Sequence, residues 1–67
     1  MKNKIKQLRE NFNLTQQDLA EKVDVSRQTI ISLENGKYNP SILLAHKIAK
    51  SFNLSIEEIF IFEEEEF

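Results

Sequence analysis

Residues 15–36, TQQDLAEKVDVSRQTIISLENG, constrain the fold more than any other stretch of this chain. They hold two short helical patterns, each opened by a hydroxyl residue, with about one turn's worth of residues between them. Thr15 can accept from the orphan amides at the start of the first pattern, and Asp18 places a carboxylate near that helix's positive end. Leu19, Ala20 and Val23 then fall on one apolar stripe. Ser26 caps the second pattern, which runs to Asn35, and Gly36 follows where a left-handed residue is wanted. The small Ala20 suits a close helix crossing, and Val25 fills the turn.

On a wheel advancing about 100° per residue, Ile30 and Leu33 point to one side of the second helix with Thr29 beside them. Gln28 and Ile31 point the other way, flanked by Arg27 and Ser32. That outward face holds a guanidinium, a carboxamide, a hydroxyl and a branched alkyl group, with no acid among them. Such groups suit the edges of bases in double-stranded DNA: Arg to guanine, Gln to adenine, an apolar contact to the thymine methyl.

These residues, with VSRQTI followed by ENGKYNPS, resemble the helix-turn-helix of the Cro/repressor family, also called the Xre type, and most of all its very small, effector-less members. The likeness covers almost the whole chain. It implies an all-α fold, a five-helix lambda-repressor-like DNA-binding domain, with the helix-turn-helix at about 15–36. By the same resemblance, Gln16 meets the DNA backbone and can brace the first residue of the recognition helix. Its plainer reading is an ordinary polar first-turn residue. Asn35, Lys37, Tyr38 and Asn39 run alongside phosphates in the family, although Asn, Gly and Pro are what any turn uses and the ring of Tyr38 can simply pack. Ser26 and Thr29 are counted with the contacting surface. In the family the position of Arg9 pairs with that of Glu34, which makes Arg9 a structural ion-pair residue rather than a DNA contact. The chain departs from the pattern at Asp24, where the family commonly has Gly; Asp tolerates a left-handed backbone at some cost.

With 67 residues the chain is expected to form one domain, 1–67, with a small core and no room for a separate sensing or catalytic module. It has no Cys, which excludes a disulfide framework or a cysteine-held metal, and its single His46 has no partner ligands. No metal, cofactor or small-molecule ligand is expected. No run of about twenty apolar residues is present, and MKNKIKQ lacks the apolar centre of a signal peptide, so a cytoplasmic location without membrane contact is expected. The net charge of −2 is unevenly placed. Residues 1–56 hold all nine Lys and Arg against five acids, while 57–67 hold six acids and no base. A nucleic-acid surface and an acidic tail therefore occupy different ends of the sequence.

Outside the central stretch, Ile5, Leu8 and Phe12 predict a first helix over 4–11, and Asn13 ends it as a left-handed residue. Leu14 packs ahead of the Thr15 cap. Pro40 and Ser41 open a fourth helix with Leu44, Ala45, Ile48, Ala49 and Phe52 on its buried stripe. His46, Lys47 and Lys50 face away from that stripe, and Leu43 lies off it. Ser55 and Glu58 form a capping box for a short fifth helix, 56–60.

The ending, IFEEEEF, has two readings. Four consecutive Glu commonly form a solvated tail. The small repressors that this chain resembles instead pair a C-terminal strand with the N-terminal residues, which would set Lys2 and Lys4 across from glutamates in a two-stranded antiparallel ribbon. Residues 56–67 are expected to serve dimerisation, with Ile56, Phe60 and Phe62 at an isologous apolar interface or, alternatively, in the monomer core, where Ile59 belongs.

The sequence thus points to a transcriptional regulator, in the simplest case a repressor that binds a palindromic operator as a homodimer through the major groove. A protein-binding module is the alternative, such as an antitoxin component that also binds its own promoter. An enzyme is not expected. The chain shows no paired acid and base, no nucleophile with a His, and no phosphate-cradling Gly loop.

Overall fold

The computed structural model describes residues 1–37 and 39–62. Within them lie five helices: α1 (Ile5–Asn11), α2 (Gln16–Lys22), α3 (Arg27–Glu34), α4 (Ile42–Ser51) and α5 (Ile56–Ile59). The all-α expectation holds, with small shifts at two ends. Lys4 is the non-helical N-cap of α1 (φ −108°), and Phe60 has turned extended (φ −98°, ψ 132°), so α5 stops at Ile59.

One local device joins three pairs of helices. Asn13, Asp24 and Asn53 end α1, α2 and α4 with positive φ of 56°, 61° and 58°. The amide of the next residue then reaches back to a last-turn carbonyl, Leu14 to Arg9, Val25 to Ala20 and Leu54 to Ala49, at 2.9–3.0 Å. These bonds satisfy carbonyls that a helix end leaves unpaired. Leu14, Val25 and Leu54 pack against the core. Thr15, Ser26 and Ser55 follow at once, and each side chain accepts from the backbone amide three residues on. A left-handed polar residue, an apolar residue and a hydroxyl residue therefore stop one helix and start the next within three positions. At Thr15 and Ser55 the cap is reciprocal, since Asp18 and Glu58 accept from the cap residues' own amides at 2.9 and 2.8 Å.

The core gathers residues from every helix. Ile5, Leu19, Ile30, Leu33, Ile48 and Ile59 are fully buried, and each such side chain contributes about 2 kcal/mol relative to exposure. Helix α3 packs against both α2 and α1, while α5 packs on α4. Phe12, last of the apolar residues in the α1 pattern, is about half exposed, with its ring edge-on to Phe52 at a centroid distance of 5.2 Å.

The two ends of the described chain meet. Asn3 and Phe60 form one antiparallel bridge, flanked by Lys4 N–H to Ile59 O at 2.8 Å and Ile61 N–H to Lys2 O at 2.9 Å. The expected opposition of Lys2 and Lys4 to Glu63–Glu66 lies outside the described residues. Of the two places expected for Phe60, the structure shows the core of the single chain, since its side chain is only 1% exposed.

Candidate nucleic-acid interface

The surface begins at the turn between α2 and α3. Asp24 holds the left-handed conformation that stops α2, and Ser26 caps α3 by accepting from Thr29 N–H at 3.2 Å. The Ser26 and Thr29 hydroxyls also lie 3.0 Å apart. Both hydroxyls therefore sit at the N-terminal end of α3, beside Arg27 in its first turn.

Two buried residues, Ile30 and Leu33, anchor α3, and this fixes what its other side presents. Arg27 and Gln28 are exposed, Ile31 and Ser32 half-exposed, and Asn35 exposed at the C-terminal end. Glu34, the one acid of α3, is turned away from that face. Its side chain is 4% exposed and receives Arg9 Nε at 2.7 Å and Arg9 Nη2 at 3.4 Å. Arg9, 11% exposed, also donates from Nη1 to Leu14 O at 2.9 Å. The hydrogen bond to Glu34 holds the Arg9 pKa above its ordinary value, against the opposing effect of burial.

Glu34 extends the connection to α2. Gln16 Nε2 donates to Glu34 Oε1 at 3.1 Å, and Gln16 Oε1 accepts from Arg27 Nη2 at 3.3 Å. A carboxylate can only accept here, so it fixes which end of the Gln16 amide faces Arg27. The chain Arg9–Glu34–Gln16–Arg27 links the inside of the bundle to the first residue of α3.

After α3, Gly36 takes φ 69°, a backbone conformation that strains any L side chain. Gly36 N–H reaches Leu33 O and Lys37 N–H reaches Ser32 O, both at 3.0 Å, which turns the chain and leaves Lys37 exposed. Asn39 is exposed as well, and Tyr38 lies outside the described residues. Ser41 caps α4, accepting from Leu44 N–H at 3.1 Å.

Two crossing, capped helices with a polar outward face on the second are the geometry of a major-groove reader. A family model described as Helix-turn-helix matches residues 5–59. The chain belongs to the Xre-type helix-turn-helix family. It is a transcriptional regulator with a helix-turn-helix DNA-binding domain, and both family and fold are those of non-enzymatic DNA-binding proteins. It is 62% identical over 66 residues to an uncharacterized HTH-type transcriptional regulator of Methanocaldococcus jannaschii, with 98% of this chain and 100% of that protein covered. Another uncharacterized HTH-type transcriptional regulator, from Archaeoglobus fulgidus, is 59% identical over 66 residues, covering 98% of this chain and 93% of the relative. Among solved structures, the restriction-modification controller protein C.AhdI from Aeromonas hydrophila superposes with a TM-score of 0.76 at 27% identity, over 84% of this chain and 85% of that one.

Three further features of this helix-turn-helix regulator bear on function. The residues lining a shallow apolar depression of about 260 Å³ include Met1, Pro40, Ile42, Ile56, Phe60 and Phe62. At its edge Ile42 is 83% exposed, a surface isoleucine that the helical wheel of α4 did not single out. No helix among the described residues is long and apolar enough to cross a membrane, and no group of three metal-binding side chains occurs among them. The third feature is the contact of Asn3 with the end of α3, which sequence reasoning missed.

Proposed function

We propose that this regulator is a repressor, acting as a homodimer on a palindromic operator, with α3 of each copy in the major groove. Residues 1–67 act as one DNA-binding unit. Arg27, Gln28, Ile31 and Ser32 read base edges. Gln16, Ser26, Thr29, Asn35, Lys37, Tyr38 and Asn39 set position on the sugar-phosphate backbone, which fixes register without carrying sequence information. The observation that carries this reading is the inward turn of Glu34. With that carboxylate held by Arg9, α3 presents donors, an amide and an alkyl group to the duplex and no like charge to its phosphates.

The homodimer forms over the apolar depression, with Ile56 and Phe62 joined by Ile42. One domain reads only a few base pairs, and two copies about 34 Å apart double the site. A repressor of this build occludes promoter DNA and needs no ligand. It works in the cytoplasm, where the DNA is.

Selection of bound sequences from a random duplex library tests the proposal. The expected product is a pseudo-palindrome with half-sites about ten base pairs apart, centre to centre. Recovery of unrelated sequences, or of single short sites, would overturn specific reading or dimer geometry respectively. Placing the selected site across a promoter then tests repression.

A further inference from the structure

Asn3 precedes α1 by two residues and uses every hydrogen-bonding group of its side chain. Its Oδ1 accepts from Ile5 N–H at 3.1 Å, one of the amides that the start of α1 leaves unpaired. Its Nδ2 donates to Met1 O at 3.1 Å and to Leu33 O at 2.8 Å. That last acceptor is in the final turn of α3 and already receives Gly36 N–H, so the amide of Asn3 fills its second lone pair. The backbone of Asn3 bridges Phe60, at the start of the segment that carries Phe62 to the apolar depression. One residue thus touches the start of α1, the end of α3 and the segment leaving α5.

We propose that Asn3 is a positioning residue that locks the recognition helix to the edge through which two copies meet, and so sets the spacing of the paired reading heads. The proposal rests on the homodimer described above. Arg9 and Asn3, both from the N-terminal part of the chain, hold α3 at neighbouring residues, Glu34 and Leu33. Arg9 acts through Glu34 and Gln16 on the groove face. Asn3 acts on the C-terminal end and is the one of the two whose backbone also joins the segment after α5. Without the Asn3 amide, each α3 still fits a groove, but the angle between α3 and the dimer edge is held only by the weaker, exposed bond from the Met1 ammonium to Gly36 O at 3.1 Å, and two heads match two half-sites less well together.

Asn3→Asp keeps the acceptor for Ile5 and removes the donor to Leu33 together with the one to Met1. Asn3→Ser removes the reach to Leu33 without adding a charge. Each full-length variant is titrated with the selected palindrome and with a duplex in which one half-site is scrambled, and its dimerisation is measured by sedimentation. Half-site affinity and dimerisation are expected to stay at the parent values, while the gain from the second half-site falls about tenfold. Equal losses on both duplexes, or an undiminished gain in both variants, would overturn the role of Asn3 and leave the dimer intact. Loss of helical signal in both variants would make Asn3 a folding residue and also overturn it. A parent protein that gains nothing from the second half-site would instead overturn the homodimer, and the proposal with it.

Discussion

Arg9 and Glu34, twenty-five residues apart in the chain, meet at 2.7 Å between α1 and α3, and both side chains are largely withdrawn from water. Removing one partner leaves the other as a partly buried charge without its ion-pair partner. Arg9→Ala or Glu34→Ala is expected to lower stability by about 3 kcal/mol, as read by urea unfolding, whereas an Arg9→Met, Glu34→Leu pair recovers most of the loss. If the single variants unfold at the parent midpoint, the pair is ornamental.

Asp24 holds a left-handed backbone with φ 61° at an exposed position. Glycine adopts that conformation without the clash of a Cβ. Asp24→Gly is expected to raise stability by about 1 kcal/mol by easing that clash, with operator affinity unchanged. A thermal melt and a binding titration check both halves. Lower stability would mean that the Asp side chain contributes more than its backbone costs.

Asp18 and Glu58 each have a pKa lowered, first by the hydrogen bond from the backbone of the cap residue, Thr15 or Ser55, and then by that residue's side chain. A depressed carboxylate adds stability that is present above its unfolded pKa and disappears as pH falls through its folded pKa. Stability should therefore hold from neutral pH down to roughly 5 and decline below about 4, where unfolded carboxylates begin to take up protons. In Asp18→Asn and Glu58→Gln the decline should be shallower. An unaltered acid limb in the double variant would remove these caps from the account.

Ile42 projects from the first turn of α4 at the edge of the apolar depression. Because it is so exposed in the single chain, Ile42→Glu should leave the free energy of unfolding within about 0.5 kcal/mol of the parent, as for other surface changes. Sedimentation should nevertheless shift to the monomer, and the variant should bind the palindrome more weakly than the parent protein does. A variant that stays dimeric places the interface elsewhere.

Much of this architecture is legible from local chemistry. Thr15 with Asp18, Ser26, Ser41 and Ser55 with Glu58 are caps whose partners lie three residues on, so spacing alone exposes them. Ile30 and Leu33 declare the buried side of α3 through periodicity. The Arg9 pairing with Glu34 needed a family resemblance, because no local rule joins residues so far apart. Contacts made by the backbone were harder still. Phe60 reads as surplus to a small core until its pairing with Asn3 turns it inward. Asn3 carries only the weak signal of an Asn just ahead of a helix, which says nothing of Leu33. Asn53 ends α4 as Asn13 ends α1, and the recurrence of a left-handed residue, an apolar residue and a hydroxyl residue at 13–15, 24–26 and 53–55 was there to be read.

If the outward face of α3 reads bases while the loop after it only grips the backbone, Gln28→Ala and Lys37→Ala must weaken binding in different ways. Both residues are exposed, so neither change should disturb the fold. Binding of each variant is measured on the selected operator, on operators altered at single base pairs and on random duplex, across a range of salt. Gln28→Ala is expected to cost about 1–3 kcal/mol on the operator, to relax preference at one base pair and to keep the salt slope. Lys37→Ala should weaken all duplexes alike and reduce the salt slope by about one. Identical behaviour of the two variants on specific and random DNA would mean that α3 and the loop after it do not divide base reading and backbone grip between them.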